Sequence, residues 1–308
     1  MATAPKLQKP DDEHVPSAVS SPAEKKQVEE RVAISAGVVY EAICREGEDE
    51  LKRPTSALAW SGLAAGLAMG FSLVAEGLLA AHLPQADWSP LISKLGYSVG
   101  FLMAILGRQQ LYTENTLTVI LPLLLHKNAA TLASVAKLWG AVLASNLVGT
   151  YLFALCLAKI AVFSPHVQQT LLSVSSEGSG AAFGVTLTRA IFAGWLIALM
   201  VWLMPGAESS RVGIIILVTY LIGLGGFNHI IAGSNKNFFL VVSGAESWSY
   251  FLLRFFTPTL LGNIIGGVSL VAFLNHAQVV AGKEEGSKAS QSPLAKRGAA
   301  KDAKRRAG

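Results

Sequence analysis

Two hydrophobic segments of this chain are long enough to cross a bilayer, and each is interrupted in its middle. The first, GFLMAILGRQQLYTENTLTVILPLLL, runs from Gly100 to Leu125. Its apolar run stops at Gly107-Arg108-Gln109-Gln110 and resumes after Thr116. The second, IIILVTYLIGLGGFNHIIAGSNKNFFLVV, runs from Ile214 to Val242. It stops at Gly225-Gly226 and resumes past Lys236. Each is followed by a Gly-rich span, LASNLVGTYLFAL around Asn146 and LLGNIIGGVSLVAF around Asn263. The two asparagines stand 117 residues apart, and the same offset carries Tyr112 onto His229. Polar backbone at membrane depth survives only where protein buries it or a cavity wets it. Paired interruptions in two halves of a chain point to a transport site between inverted repeats.

Charge is distributed as this reading requires. Only 15% of residues are charged and the mean hydropathy is +0.46, with residues 57–275 nearly free of charge and both ends rich in it. This pattern describes an integral membrane domain with polar tails. The net charge of +5 belongs mostly to those tails. It points to membrane topology and anionic lipid, not to nucleic acid. No apolar run follows a basic start at the N-terminus, so no cleavable signal peptide is expected. Cys44 and Cys156 fall on a cytoplasmic helix and inside a span, and no disulfide is expected between them.

The chain divides into a disordered tail over 1–20, an amphipathic cytoplasmic helix over 21–50, a six-span domain over 51–277 and a basic disordered tail over 278–308. Ser21, Pro22 and Glu24 form a capping box, and Val28, Val32, Val39 and Ile43 make one apolar stripe. The spans are expected at 57–82, 92–125 (broken), 131–162, 183–204, 212–243 (broken) and 250–275, each sufficient for roughly 30 Å of hydrocarbon. Lys127, Lys137 and Arg211 mark the cytoplasmic turns, while the 163–183 and 244–249 loops carry no Lys or Arg. Both ends are therefore placed in the cytoplasm.

Four short motifs carry a family resemblance. They are Leu111-Tyr112-Thr113 in the first break, Asn146-Leu147-Val148-Gly149 in the third span, Val201-Trp202 closing the fourth, and Gly226-Phe227-Asn228-His229 in the second break. In these, and in their order over residues 35–275, the chain resembles the formate/nitrite transporter family. The resemblance implies an all-α, aquaporin-like six-span bundle, assembled as a pentamer with one pore per protomer in a bacterial inner membrane. It also implies a pore histidine between two apolar constrictions, facing a threonine. By position these are His229, beside Asn228, and Thr113, with constrictions at Phe101, Tyr112, Ile197 and Ile222. Three departures stand out. Ser176-Glu177-Gly178-Ser179 occupies the stretch where family members often carry a lysine. Gly194 replaces an asparagine of the fourth span, and Glu114-Asn115 follow the threonine.

Each charged candidate has a structural and a functional reading. A histidine on an apolar segment is most often a hydrogen-bonded structural residue, but the glycine-flanked break favours the pore for His229. A small anion crossing apolar rings loses its hydration at large cost, and becoming the neutral acid there removes most of that cost. Imidazole titrates near 6.5 in water, within reach of proton exchange. Arg108 and Glu114 either hold the first break or act in selectivity or proton relay. Lys236 either snorkels or adds positive potential. Glu76 and Arg189, inside the first and fourth spans, are expected to pair. Arg189 otherwise supplies the field of the missing lysine. Trp60, Trp88 and Trp248 suit an interfacial belt, and Gly62, Gly66 and Gly70 a packing ridge.

No nucleotide motif, metal-ligand spacing or nucleophile motif is present, so neither an enzyme nor a cofactor is expected. The leading function is a channel or transporter for small monovalent anions or their neutral acids. A facilitator for small neutral solutes and a non-transporting scaffold or sensor are the alternatives.

Overall fold

Helices α1 to α10 carry the chain from Ala36 to Ser269, and no strand occurs among the described residues. The structure, a computed structural model, describes residues 34–273 together with Ser21, Pro22 and Ala277. The tails expected over 1–20 and 278–308, and residues 23–33 of the helix expected over 21–50, lie outside the described residues.

Helix α1 (Ala36–Lys52) buries Val39, Tyr40, Ile43, Cys44 and Gly47, a stripe at three- and four-residue spacing. Pro54 ends the run, and α2 (Thr55–His82) starts at the next residue. At 28 residues α2 is about 42 Å long, enough to cross a membrane. The second span is two pieces, α3 (Ser89–Leu106) and α4 (Asn115–His126). Helix α5 (Ala129–Lys159) returns, capped by Asn128, whose side chain accepts the Thr131 N–H.

Helix α6 (Pro165–Ser176) lies in what the sequence reading leaves as a loop. Its signals were present: Ser164 as N-cap, Pro165 at the first position, and Val167, Leu171 and Val174 on one face. The second half repeats the first with α7 (Phe183–Leu203), the pieces α8 (Arg211–Leu224) and α9 (Ile230–Val242), and α10 (Trp248–Ser269). Helix α9 begins at Ile230, well before Lys236. Within the polar run Ser234-Asn235-Lys236-Asn237, two side chains reach partners on other helices. Asn235 Nδ2 donates to Thr150 O at 3.1 Å, and Lys236 reaches Glu76 at 2.7 Å.

The halves run in opposite directions. Helix α2 leaves the end that carries α1, whereas Met204 and Pro205, just past α7, share a cavity with Glu46 and Glu50 of α1. Arg211, which opens α8, lines the same cavity. The first break thus opens toward the α1 end and the second toward the opposite end.

Both crossings beside the breaks are close. A Cβ on Gly66 would stand 2.3 Å from the carbonyl oxygen of Asn146, and one on Gly194 would stand 2.4 Å from that of Asn263. Small residues let the backbones of α2 and α5, and of α7 and α10, approach to contact, the usual means of helix association where lipid removes the hydrophobic drive. Gly62 and Gly70 pack on the same face of α5.

Candidate functional site

Each break is built by the same backbone turn. Helix α3 ends with Arg108 in the left-handed region (φ 52°) and α8 with Gly226 (φ 60°). In the first, the Gln109 N–H reaches back to Ala104 O (2.9 Å). In the second, the Phe227 N–H reaches back to Ile222 O (3.0 Å). A buried asparagine then holds each loop. Asn146 Oδ1 accepts the Tyr112 N–H (2.9 Å), and its Nδ2 donates to Gly62 O (2.7 Å) and Gln110 O (2.9 Å). Asn263 Oδ1 accepts the Ile230 N–H (2.8 Å), and its Nδ2 donates to Ala190 O and Asn228 O, both at 2.8 Å. Loop groups that helix geometry leaves unpaired are satisfied without water.

The two loops meet at side chains. His229 Nε2 lies 2.7 Å from Thr113 Oγ1, and both residues are almost wholly buried. The other ring nitrogen fixes the proton. His229 Nδ1 accepts the N–H groups of Ile231 and Ala232, each at 3.2 Å, as the N-cap of α9. Backbone N–H groups only donate, so Nδ1 carries a lone pair and the neutral ring carries its hydrogen on Nε2. His229 therefore donates to the Thr113 hydroxyl. Phe101 stands edge-on to the imidazole, with ring centroids 4.9 Å apart.

A cavity opens on each side of this contact. On the α1 side a volume of about 790 Å³ is lined by Arg108, Gln110, Glu114, Glu46, Glu50 and Arg211, among others. On the opposite side a volume of about 260 Å³ reaches His229, Asn228 and Ile222 and is lined by Lys94, Glu177, Arg189, Lys236, Tyr250 and Arg254. Next to the second cavity lies a buried ion network. Glu76 of α2 is fully buried, accepts from Lys94 of α3 and forms an ion pair with Lys236 of α9 at 2.7 Å. Lys94 also binds Glu177. The ammonium of Lys236 lies 5.7 Å from the centre of the Tyr97 ring.

Comparison with known proteins places this arrangement. Residues 37–277 match the family described as "Formate/nitrite transporter". The chain is 39% identical to the "Inner membrane protein YfdC" of Escherichia coli (strain K12) over 251 residues, 82% of this chain and 81% of that one. It is 26% identical to the "Formate channel BtFdhC" of Bacillus thuringiensis over 242 residues, 76% of this chain and 92% of that one. Among solved structures it is similar to a "Pentameric formate channel with formate bound", with a TM-score of 0.61 at 17% identity, covering 73% of this chain and 98% of that chain. It is also similar to an "FNT family ion channel", with a TM-score of 0.63 at 17% identity, covering 79% and 98%. The chain belongs to the formate/nitrite transporter family. Proteins of this family are membrane channels and transporters, not enzymes.

The geometry sorts the residues named from sequence. In this transporter Thr113 and Phe101 both contact His229, and Ile222 lines the second cavity beside His229. Tyr112 is buried with its ring against Trp139 of α5, at 5.8 Å between centroids. Ile197 is fully buried on α7. Gly194 faces the backbone of Asn263 in the α7–α10 crossing. Asn228 gives its carbonyl to Asn263. Arg108 pairs at 2.9 Å with Glu46 of α1 and not with Glu114, although both line the first cavity.

The expected ion pair is overturned. Glu76 does not pair with Arg189. Its two oxygens take Lys94 and Lys236, because α9 packs along α2 and brings Lys236 inward. Arg189 lines the second cavity instead. Lys94 carried no expectation from sequence. Its signal was a basic charge two residues inside the expected second span, beside a buried acid in the first.

Proposed function

We propose that this transporter passes small monovalent anions or their conjugate acids through a pore whose narrow middle is the His229–Thr113 contact. One observation carries the reading: a neutral imidazole, its hydrogen set on Nε2 by the cap of α9, faces Thr113 where two broken helices end. A donor at that place binds an anion or exchanges a proton with it. Buried apolar groups at Phe101, Ile197, Ile222 and Tyr112 keep the site dry, so a bare ion passes poorly and the neutral acid passes well. Arg189, Arg254 and the lysines of the second cavity favour an anion over a neutral solute.

The assembly is a homopentamer in a lipid membrane, in keeping with the pentameric neighbour, with both chain ends and the α1 end facing the cytoplasm. Native mass spectrometry of the purified protein tests the first point. Protease accessibility in oriented vesicles tests the second.

The function is tested by uptake of formate, nitrite and acetate into proteoliposomes with the internal pH recorded. Uptake that rises as external pH falls, accompanied by internal acidification, supports the reading. Glycerol and water flux without acid uptake would replace it with a neutral-solute facilitator.

A further inference from the structure

The second cavity contains a carboxylate that the pore does not use. Glu177 follows α6 on a strap in which Gly178 and Gly180 both have positive φ, 79° and 84°. The Gly180 N–H donates to the Tyr250 hydroxyl at 2.7 Å, which ties the strap to α10. From this strap Glu177 binds Lys94. The charges then alternate inward: Glu177, Lys94, Glu76, Lys236. The inner members are fixed, with side-chain exposures of 11% for Lys94, 0% for Glu76 and 16% for Lys236. Glu177, at 52%, is the loose outer end.

We propose that the Lys94 ammonium is a binding subsite for a small monocarboxylate or monovalent oxyanion of similar size, and that the Glu177 carboxylate occupies it as a tethered stand-in which the incoming anion displaces. The inference rests on the reading of this protein as a pathway for small anions. Charge balance supports it. The single carboxylate of Glu76 is shared by two ammonium groups, and Glu177 supplies the further negative charge beside Lys94. A free anion supplies that charge as well as Glu177 does.

The exchange replaces one carboxylate by another on the same ammonium, and the Glu177 end of the pair is already half in water while Lys94 stays buried. It is also correctly scaled. A group on a short flexible tether acts at an effective concentration on the order of millimolar, so anions at millimolar levels compete with it. Arg189 lines the same cavity beside the strap, its Nη1 3.7 Å from where a Cβ on Gly178 would stand.

The experiment compares wild type, Glu177→Gln and Glu246→Gln. The last removes the same charge from the α9–α10 loop, outside the cavity. Formate, acetate and nitrite are titrated in two ways: thermal stabilisation of the purified protein, and initial uptake rate in proteoliposomes. Glu177→Gln should bind these anions about fivefold more tightly and lower the apparent KM by the same factor, while Glu246→Gln matches wild type. Glu177→Ala should repeat the gain, which shows that the amide is not itself holding the lysine. An unchanged affinity in Glu177→Gln, an equal gain in Glu246→Gln, or no anion stabilisation in any protein overturns the subsite. Stabilisation that shifts as described without uptake in any protein leaves the subsite standing and removes the transport reading.

Discussion

Asn146 and Asn263 hold the two breaks with the same three hydrogen bonds, one accepted from a loop N–H and two donated to carbonyl oxygens. Both are fully buried. Each break is thus tied by one side chain of the following span to a neighbouring helix.

Replacing either asparagine by alanine should be severe. A buried donor or acceptor left without a partner costs about 1–3 kcal/mol, and each substitution strands two loop groups, an N–H and a carbonyl. Asn263→Ala should therefore lower stability by several kcal/mol, on the order of 3–5, and abolish the pore. Thermal unfolding of the purified protein, read against Asn128→Ala at an exposed helix cap, decides it. A loss no larger than that of the cap variant removes the assigned role.

The ion network predicts which charges are coupled. In a double-mutant cycle Glu76 and Lys236 should couple by about 1–3 kcal/mol, because removing one partner leaves a buried charge uncompensated. Glu76 and Arg189 should be additive within about 0.5 kcal/mol. Strong Glu76–Arg189 coupling would contradict the contacts described above.

Gly194→Ala forces a methyl group against the Asn263 backbone, so it should overpack the α7–α10 crossing at about 1–3 kcal/mol. Gly140→Ala on α5 meets nothing within 4 Å and should stabilise by about 0.5–1 kcal/mol through helix propensity. Melting temperatures that move in the same direction for both variants would show that crowding at Gly194 is relieved elsewhere.

The sequence carried the six spans and the two breaks because hydropathy and glycine placement report them directly. It also carried the asparagine anchors, as paired Gly-rich spans. The register of the breaks was off by one. Arg108 matches Gly226, Gln110 matches Asn228, and Tyr112 matches Ile230, all at an offset of 118. The asparagines are 117 apart because the second half is one residue shorter between break and anchor. His229 thus corresponds to Leu111, and its contact with Thr113 departs from the internal symmetry. The ion network was not legible, since which charges meet depends on how α9 turns against α2. The run Ser234-Asn235-Lys236-Asn237 reads as loop from polarity alone, yet it is a helix in which Asn235 and Lys236 reach Thr150 and Glu76 on neighbouring helices.

His229 performs two tasks that substitutions can separate. Its Nδ1 caps α9, and its Nε2–H donates to Thr113. Asparagine is a good N-cap, so His229→Asn should keep the fold and the α9 start while losing the imidazole. His229→Phe loses both tasks and should cost a further 1 kcal/mol or so for the missing cap. Thr113→Val keeps the cap intact and leaves the Nε2–H without its acceptor, at about 1–3 kcal/mol. Transport should divide along the same line. His229→Asn and His229→Phe should both lose internal acidification during weak-acid uptake, and Thr113→Val should retain it at a reduced rate. Proteoliposome uptake with a pH-sensitive dye, beside the melting temperature of each variant, reads both tasks at once. Should His229→Phe acidify the interior at the wild-type rate, the imidazole is a helix cap alone and the proton takes another route.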